Sequence, residues 1–108
     1  MDVKKFTIDR AVWLRGEGNR ASKLLREADG KMCCVGMYLR ACGVPDAKLR
    51  GKSEACYVHD DDIVPDWTKN NAGLLYEAND DPHTDPATRE AKIVNMFAEA
   101  GVAVEFVG

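Results

Sequence analysis

Ten successive residues, Cys33–Cys42, carry a single charge, Arg40. This run constrains the fold more than any other feature of the chain. Ahead of it stands Asp29-Gly30, a turn dipeptide, because Gly tolerates positive φ and Asp can bond its own backbone. Within it, Cys34, Val35, Tyr38, Leu39 and Cys42 recur on one face of a 3.6-residue period. The opposite face is Cys33, Gly36, Met37, Arg40 and Ala41, where only Arg40 is polar. A helix that is apolar on nearly every side belongs inside a protein. Gly36 costs about 1 kcal/mol against Ala in a helix, a loss that close approach of another backbone would offset. Gly43 suits the C′ position, and Pro45 keeps the helix from resuming. The pattern predicts a buried central helix over 33–42 with the other elements packed around it.

With 108 residues, 45% of them hydrophobic and 31% charged, the chain reads as one globular domain spanning 1–108. A chain of this length can bury a core without disulfides or metals. The net charge of −3 and a pI near 5.3 argue against direct nucleic-acid binding, which needs a basic patch. They leave room for a basic protein partner or a local basic pocket. Met1–Arg10 lacks an apolar run, so no signal peptide is expected. No apolar stretch approaches membrane-spanning length. The expected setting is the cytoplasm, where the four cysteines stay reduced rather than forming two disulfides.

Val3–Ile8 alternates as a short strand. Asp9 can cap a short helix, Arg10–Arg15, and Ser22–Arg26 reads as a strand joined through Asp29-Gly30 to Lys31–Met32 as a hairpin. Pro45–Leu49 suits one helical turn ending at Gly51. Lys52–Trp67 is irregular, with Trp67 turned inward. Ala72–Ala78 fits a short helix or a strand, and Asn79–Asp85 has the composition of a loop. Asp85 caps a final helix with Pro86 first and Ala87–Ala100 following; its stripe is Ile93, Val94, Phe97 and Ala98, and Gly101 stops it. Val102–Val107 is then a strand, a natural neighbour of the N-terminal one because chain termini often lie close together. The fold class expected is α+β: a mainly antiparallel sheet packed against a buried central helix and a C-terminal helix.

Several constellations carry chemical possibilities. Cys33 or Cys34 opens a helix, where a thiol pKa falls; His59 as base and Asp80 or Asp81 as orienting group would complete a cysteine-hydrolase arrangement. Against this, free cysteine is among the most buried residue types, and Cys34 and Cys42 lie on the apolar face. Zinc is disfavoured because paired Cys-x-x-Cys units are missing, although Cys56 and His59 have a knuckle-like gap. Asn79, Asp81, His83 and Asp85 alternate like calcium ligands, with Glu90 at the twelfth place, but Thr84 stands where such a loop needs Gly. No metal and no cofactor are expected. Arg15, Arg20 and Arg26, with the glycines of Arg15-Gly16-Glu17-Gly18 and with Asn79, Asp80 and Asp81, form a candidate site for a small anionic ligand. The run Asp60, Asp61, Asp62 is a candidate contact surface for a basic protein.

Trp13-Leu14-Arg15-Gly16-Glu17-Gly18, Leu24-Leu25-Arg26, Asp29-Gly30-Lys31-Met32-Cys33-Cys34-Val35-Gly36 and Asn79-Asp80-Asp81 occur in that order. The chain thereby resembles small uncharacterised phage and prophage proteins with an RGxG, LLR, DGxxCCLG and NDD pattern. The tail from Arg89 to Val107 is similar to members of that group. Val35 departs from the usual Leu, and residues 50–62 match nothing in the pattern, so His59 inherits no role. The resemblance implies a mobile-element protein in a host bacterial cytoplasm and supplies no catalytic residues. The function expected is therefore non-enzymatic: binding of a host protein, with counter-defence, such as inhibition of a CRISPR system, as its most natural form. The alternatives are a binder of a small ligand or nucleotide signal, and a cysteine-dependent hydrolase.

Overall fold

The central helix is enclosed as the spacing predicts. Helix α1 (Cys34–Cys42) buries seven of its residues and leaves only Arg40 and Ala41 exposed. Cys33 is its N-cap, with Sγ accepting from the Gly36 N–H at 3.4 Å. Gly43 closes it at φ 108°, donating its N–H to the Arg40 carbonyl. The structure is a computed structural model and describes residues 3–15, 23–60, 62–70, 73–81 and 84–108.

Around α1 are arranged strand β1 (Lys5–Asp9), the short helix α2 (Asp46–Leu49), a 3₁₀ turn (Ala55–Tyr57), helices α3 (Asp66–Asn70), α4 (Gly73–Asp80) and α5 (Pro86–Glu99), and strand β2 (Ala103–Val107). Asp85 caps α5 by accepting the Thr88 N–H, and Pro86 opens it. One apolar cluster holds the buried residues together. Its aromatic centre joins Phe6 to Phe97 at 4.9 Å between ring centroids, and Tyr38 to Phe97 and Trp67 at 5.4 Å each. Trp67 does turn inward, as a half-buried ring edge-on to Phe97. No helix among the described residues is long and apolar enough to cross a membrane.

Several expectations are corrected. The sheet is not mainly antiparallel: it has two strands, β1 and β2, and they run parallel, in register from Lys5↔Ala103 to Asp9↔Val107. The termini are neighbours as expected, but the whole helical part of the chain lies between them. A connection that long permits the crossover a parallel pair requires. Residues 10–15 are not a helix. Asp9 caps a tight turn instead, taking the Ala11 N–H on Oδ1 and the Val12 N–H on its carbonyl. Trp13 and Leu14 then run extended against Met32. Extended backbone turns adjacent side chains to opposite faces, and Trp13 and Leu14 are both buried, so this segment is covered on both sides.

The Asp29-Gly30 turn does join Arg26 to Lys31 through the Arg26 N–H and Lys31 carbonyl. The flanking residues do not form a hairpin ladder. Leu24 and Leu25 spend their backbone groups on Lys52 and Gly51, with one bridge from Leu25 to Arg50; Ser22 lies outside the described residues. Residues 73–80 resolve as helix, so Asn79 and Asp80 end α4 rather than opening a loop. In α5 the buried stripe is Arg89, Ile93 and Phe97, while Val94 is half-buried and Ala98 exposed.

Candidate functional site

Asn79 is the polar centre of the molecule. On α4 it follows Leu75 and Ala78 at helical spacing, which turns its amide into the core; it is 0% exposed. Its Oδ1 accepts the Trp13 indole N–H at 2.8 Å and the Cys34 backbone N–H at 3.0 Å. Its Nδ2 donates to the Leu14 carbonyl and to Asp80 Oδ1, both at 2.9 Å. The amide thus ties the 13–14 segment, the first turn of α1 and the end of α4 together. Cys34 N–H is one of the donors a helix start leaves unpaired, and here a side chain remote in sequence satisfies it.

The two vicinal thiols sit beside this amide and are fully enclosed, Cys33 at 1% and Cys34 at 0% exposure. Burial pushes the Cys33 thiol up to about 12, with nearby Asp80 adding in the same direction. Cys34 is also raised well above its ordinary value by burial, then by Cys33 and Asp80. Desolvation outweighs the helix start. A nucleophilic thiolate needs the reverse shift, and His59 is exposed on the segment following the 3₁₀ turn. Cys56 is the exposed cysteine. Iodoacetamide at neutral pH should therefore add one carbamidomethyl group to the folded chain, at Cys56, and four after denaturation. Peptide mapping by mass spectrometry checks this. Rapid native labelling of Cys33 or Cys34 would contradict the enclosed helix.

The arginines and carboxylates singled out in the sequence are distributed among separate tasks. Arg15 lies over the Trp13 ring at 4.7 Å, on the chain leading from the Asn79-bound Leu14. Arg26 forks onto Asp29 at 3.0 and 2.5 Å. That guanidinium, with the Lys31 N–H, holds the Asp29 carboxyl at about 2. Asp80 accepts from Asn79. Asp81 accepts the Thr84 hydroxyl at 2.5 Å, and its carbonyl receives Arg89 Nη2. Arg20 lies outside the described residues, as do Asp61 and His83. Asp60 turns toward Lys48 at 3.1 Å, its carbonyl receiving the Ile63 and Val64 N–H groups, and Asp62 is exposed. Among the described residues no three His, Cys, Asp or Glu side chains converge to hold a cation.

Two further residues escaped the reading of the sequence. Arg89, buried on the first turn of α5, clamps the 81–84 segment through the Asp81 and Thr84 carbonyls. Arg10 meets Glu90 in a bidentate pair at 2.9 and 2.6 Å and lies 5.6 Å from the centre of the Phe106 ring. The guanidinium holds the Glu90 carboxyl below its usual range. Glu90 stood among candidate calcium ligands; its partner is Arg10. The Leu75, Ala78, Asn79 spacing was the available signal for the buried amide.

The surface hollows lie elsewhere. One of about 270 Å³ is walled by Trp67, Leu75, Met96 and Glu99, with Leu74, 65% exposed, at its rim. A second of about 360 Å³ shares Trp67 and Ala100 with it and extends toward Val3 and Lys4. A third, of about 740 Å³, continues from Val3 and Lys4 along β1. Arg15, Arg26, Asn79, Asp80 and Asp81 line none of the three. No protein-family model matches this chain, and neither a curated protein nor a solved structure matches it.

Proposed function

We propose that this chain is an accessory protein of phage or mobile-element type that acts without catalysis in a host bacterial cytoplasm, by binding a host protein, and that the binding blocks a bacterial immune system such as CRISPR. The observation that carries the binding reading is the trough formed by Trp67, Leu74, Leu75 and Met96. Leu74 is the most exposed large hydrophobic residue described, and it stands at the rim of a concavity rather than alone. Apolar exposure gathered around a hollow marks an interaction site, and tryptophan is enriched at the energetic centres of interfaces. Glu99 in the wall, the exposed Asp62 and the net charge of −3 favour a basic partner, as on proteins that handle nucleic acid.

The ligand-binding alternative has less support. The Arg26 fork is engaged by Asp29, and the Asn79 amide spends both acceptor positions and both donors inside the fold. The hydrolase alternative requires an activated thiol, and both vicinal thiols are shifted the other way.

The test is plating of a phage targeted by a CRISPR system on cells that express this chain, together with binding of the purified chain to the purified effector complex. The expected result is restored plating and a stable complex. Leu74→Asp should weaken the complex about tenfold or more, the equivalent of ~1.4 kcal/mol, with an unchanged melting temperature. Unaltered plating and no complex would sink the counter-defence reading; full binding by Leu74→Asp would remove the trough as the contact surface.

A further inference from the structure

Strand β1 has β2 as its neighbour on one side; its other edge, among the described residues, is unpaired. The register decides which backbone groups that edge presents. Ala103 N–H donates to the Lys4 carbonyl at 2.8 Å, and Arg10 N–H donates to the Val107 carbonyl at 2.9 Å. In a parallel ladder one residue turns both its N–H and C=O to the neighbour and the next turns both away. Residues 4, 6, 8 and 10 therefore face β2, and Lys5, Thr7 and Asp9 offer their backbone groups to the open side. The Val12 N–H, which reaches the Asp9 carbonyl from that side at 3.1 Å, agrees with this and takes one of that carbonyl's two acceptor positions, leaving the other for an incoming strand. Along the same edge runs the 740 Å³ hollow, bordered by Lys5, Thr7 and Asp9 and floored by Met37 and Ala41 of α1.

Unpaired edges recruit strands, and proteins protect them with lysine, proline or bulges. Here the protection has a particular form. The strand reads Lys5-Phe6-Thr7-Ile8-Asp9, which is complementary to itself when reversed about Thr7. An antiparallel second copy sets Lys5 opposite Asp9, Phe6 opposite Ile8 and Thr7 opposite Thr7. The outward-facing residues are then the ones that exchange backbone hydrogen bonds in an antiparallel pair. Both lysines meet carboxylates, a favourable cross-strand pair, while Phe6 and Ile8, 5% and 0% exposed, stay in the core of their own copy. A shift of two residues puts Lys5 opposite Thr7 and leaves charges unmatched, and a parallel copy puts Lys5 against Lys5. The Asx turn occupies Asp9 Oδ1 through the Ala11 N–H and leaves Oδ2 for the incoming ammonium. Among the described residues Lys5 has only a long contact to Glu105, at 3.8 Å with both side chains well exposed.

We infer that the occupant of this edge is a second copy of the same chain, joined through β1 in antiparallel register about a two-fold axis to make a four-stranded sheet β2-β1-β1-β2. Such an interface is isologous, so each pair occurs twice. It is independent of the Leu74 trough: its failure leaves the proposed function standing, and the reverse holds as well.

Charge swaps test it by sedimentation velocity over micromolar to millimolar concentration. The intact chain should show a monomer–dimer equilibrium. Lys5→Asp alone turns both charged pairs into Asp–Asp, and Asp9→Lys alone turns both into Lys–Lys; each should dimerise about tenfold more weakly or worse. An equimolar mixture of the two variants restores both pairs and should dimerise like the parent chain. If Asp9→Lys loses its fold with its turn, Thr7→Pro takes its place: it deletes an N–H that β2 does not use and should leave a folded monomer by circular dichroism and sedimentation. A parent chain that stays monomeric at millimolar concentration overturns the inference. So does a mixture no tighter than its separate components, or a Thr7→Pro variant that still dimerises.

Discussion

Asn79→Ala should destabilise the fold by about 4 kcal/mol, in the tail of what single substitutions do. Two buried donors, the Trp13 indole N–H and the Cys34 backbone N–H, lose their acceptor at once, and the Leu14 carbonyl loses the Asn79 donor. An orphaned buried polar group costs about 1–3 kcal/mol, and relaxation or an entering water recovers part of the sum. Asn79→Asp separates this account from simple loss of volume. Its carboxylate keeps the two accepting roles but cannot donate to Leu14, and it lies beside Asp80. Protonated, the same side chain donates again. The Trp13 and Cys34 N–H donors favour the carboxylate, but full burial and Asp80 outweigh them and raise its pKa in the folded state above the unfolded value, so its stabilising protonated form is complete below the ordinary carboxylate range and is lost as pH rises through the folded value. Urea midpoints for Asn79→Asp should therefore fall from pH 4 to pH 8 relative to the parent chain. An unfolding free energy within about 1 kcal/mol of the parent for Asn79→Ala would show that the amide is dispensable.

Gly36→Ala is the second large effect, and its cause is steric. A Cβ built on Gly36 lies 2.0 Å from the Leu24 carbonyl oxygen, 2.7 Å from its carbon and 2.8 Å from the Leu24 Cα. All three are backbone atoms, so no side chain can swing aside. Overpacking typically costs about 1–3 kcal/mol, and this contact belongs at or above the top of that range, even after the ~1 kcal/mol that Ala regains in helix propensity. Relief requires α1 to separate from the 23–24 segment, which would stretch the Cys33 N–H to Lys23 carbonyl bond, now 3.1 Å. Gly36→Val should not fold. Gly73→Ala is the internal control: nothing lies within 4 Å of its added Cβ, and a neutral or slightly stabilised protein is expected there. Denaturation midpoints moving in the same direction for the two alanines would refute the close-approach explanation.

The Gly36 contact was legible because it rests on local logic. A glycine inside an otherwise apolar helix has a cost, and a backbone passing over it is the usual reason. The same holds for α1 as a whole: ten nearly uncharged residues framed by a turn and a glycine stop leave little freedom in where they end up. The Asp85 cap with Pro86 gave α5 its start for equally local reasons. Asn79 was half-legible. Its motif drew attention, but in the wrong sense, since loop composition hid that Leu75, Ala78 and Asn79 form one inward face. Of the two candidate arginines among the described residues, Arg26 is engaged by Asp29, and Arg15 lies on the face of Trp13, whose indole N–H bonds Asn79.

Periodicity, caps and punctuation are properties of neighbouring residues, and they determined which stretch is enclosed, where α1 and α5 begin and end, and that both termini carry strands. Strand direction, the extended path of residues 10–15 and the partners of Asn79 were decided only in three dimensions. Alternation tells which face of a strand is inward and is blind to the direction in which it runs. The Asn79 bonds span 66, 45 and 65 residues, and no window of sequence contains both ends of any of them. Those long-range polar pairs form because burying Trp13 and the first turn of α1 would otherwise strand their N–H groups without an acceptor, a demand that arises only once the core has closed.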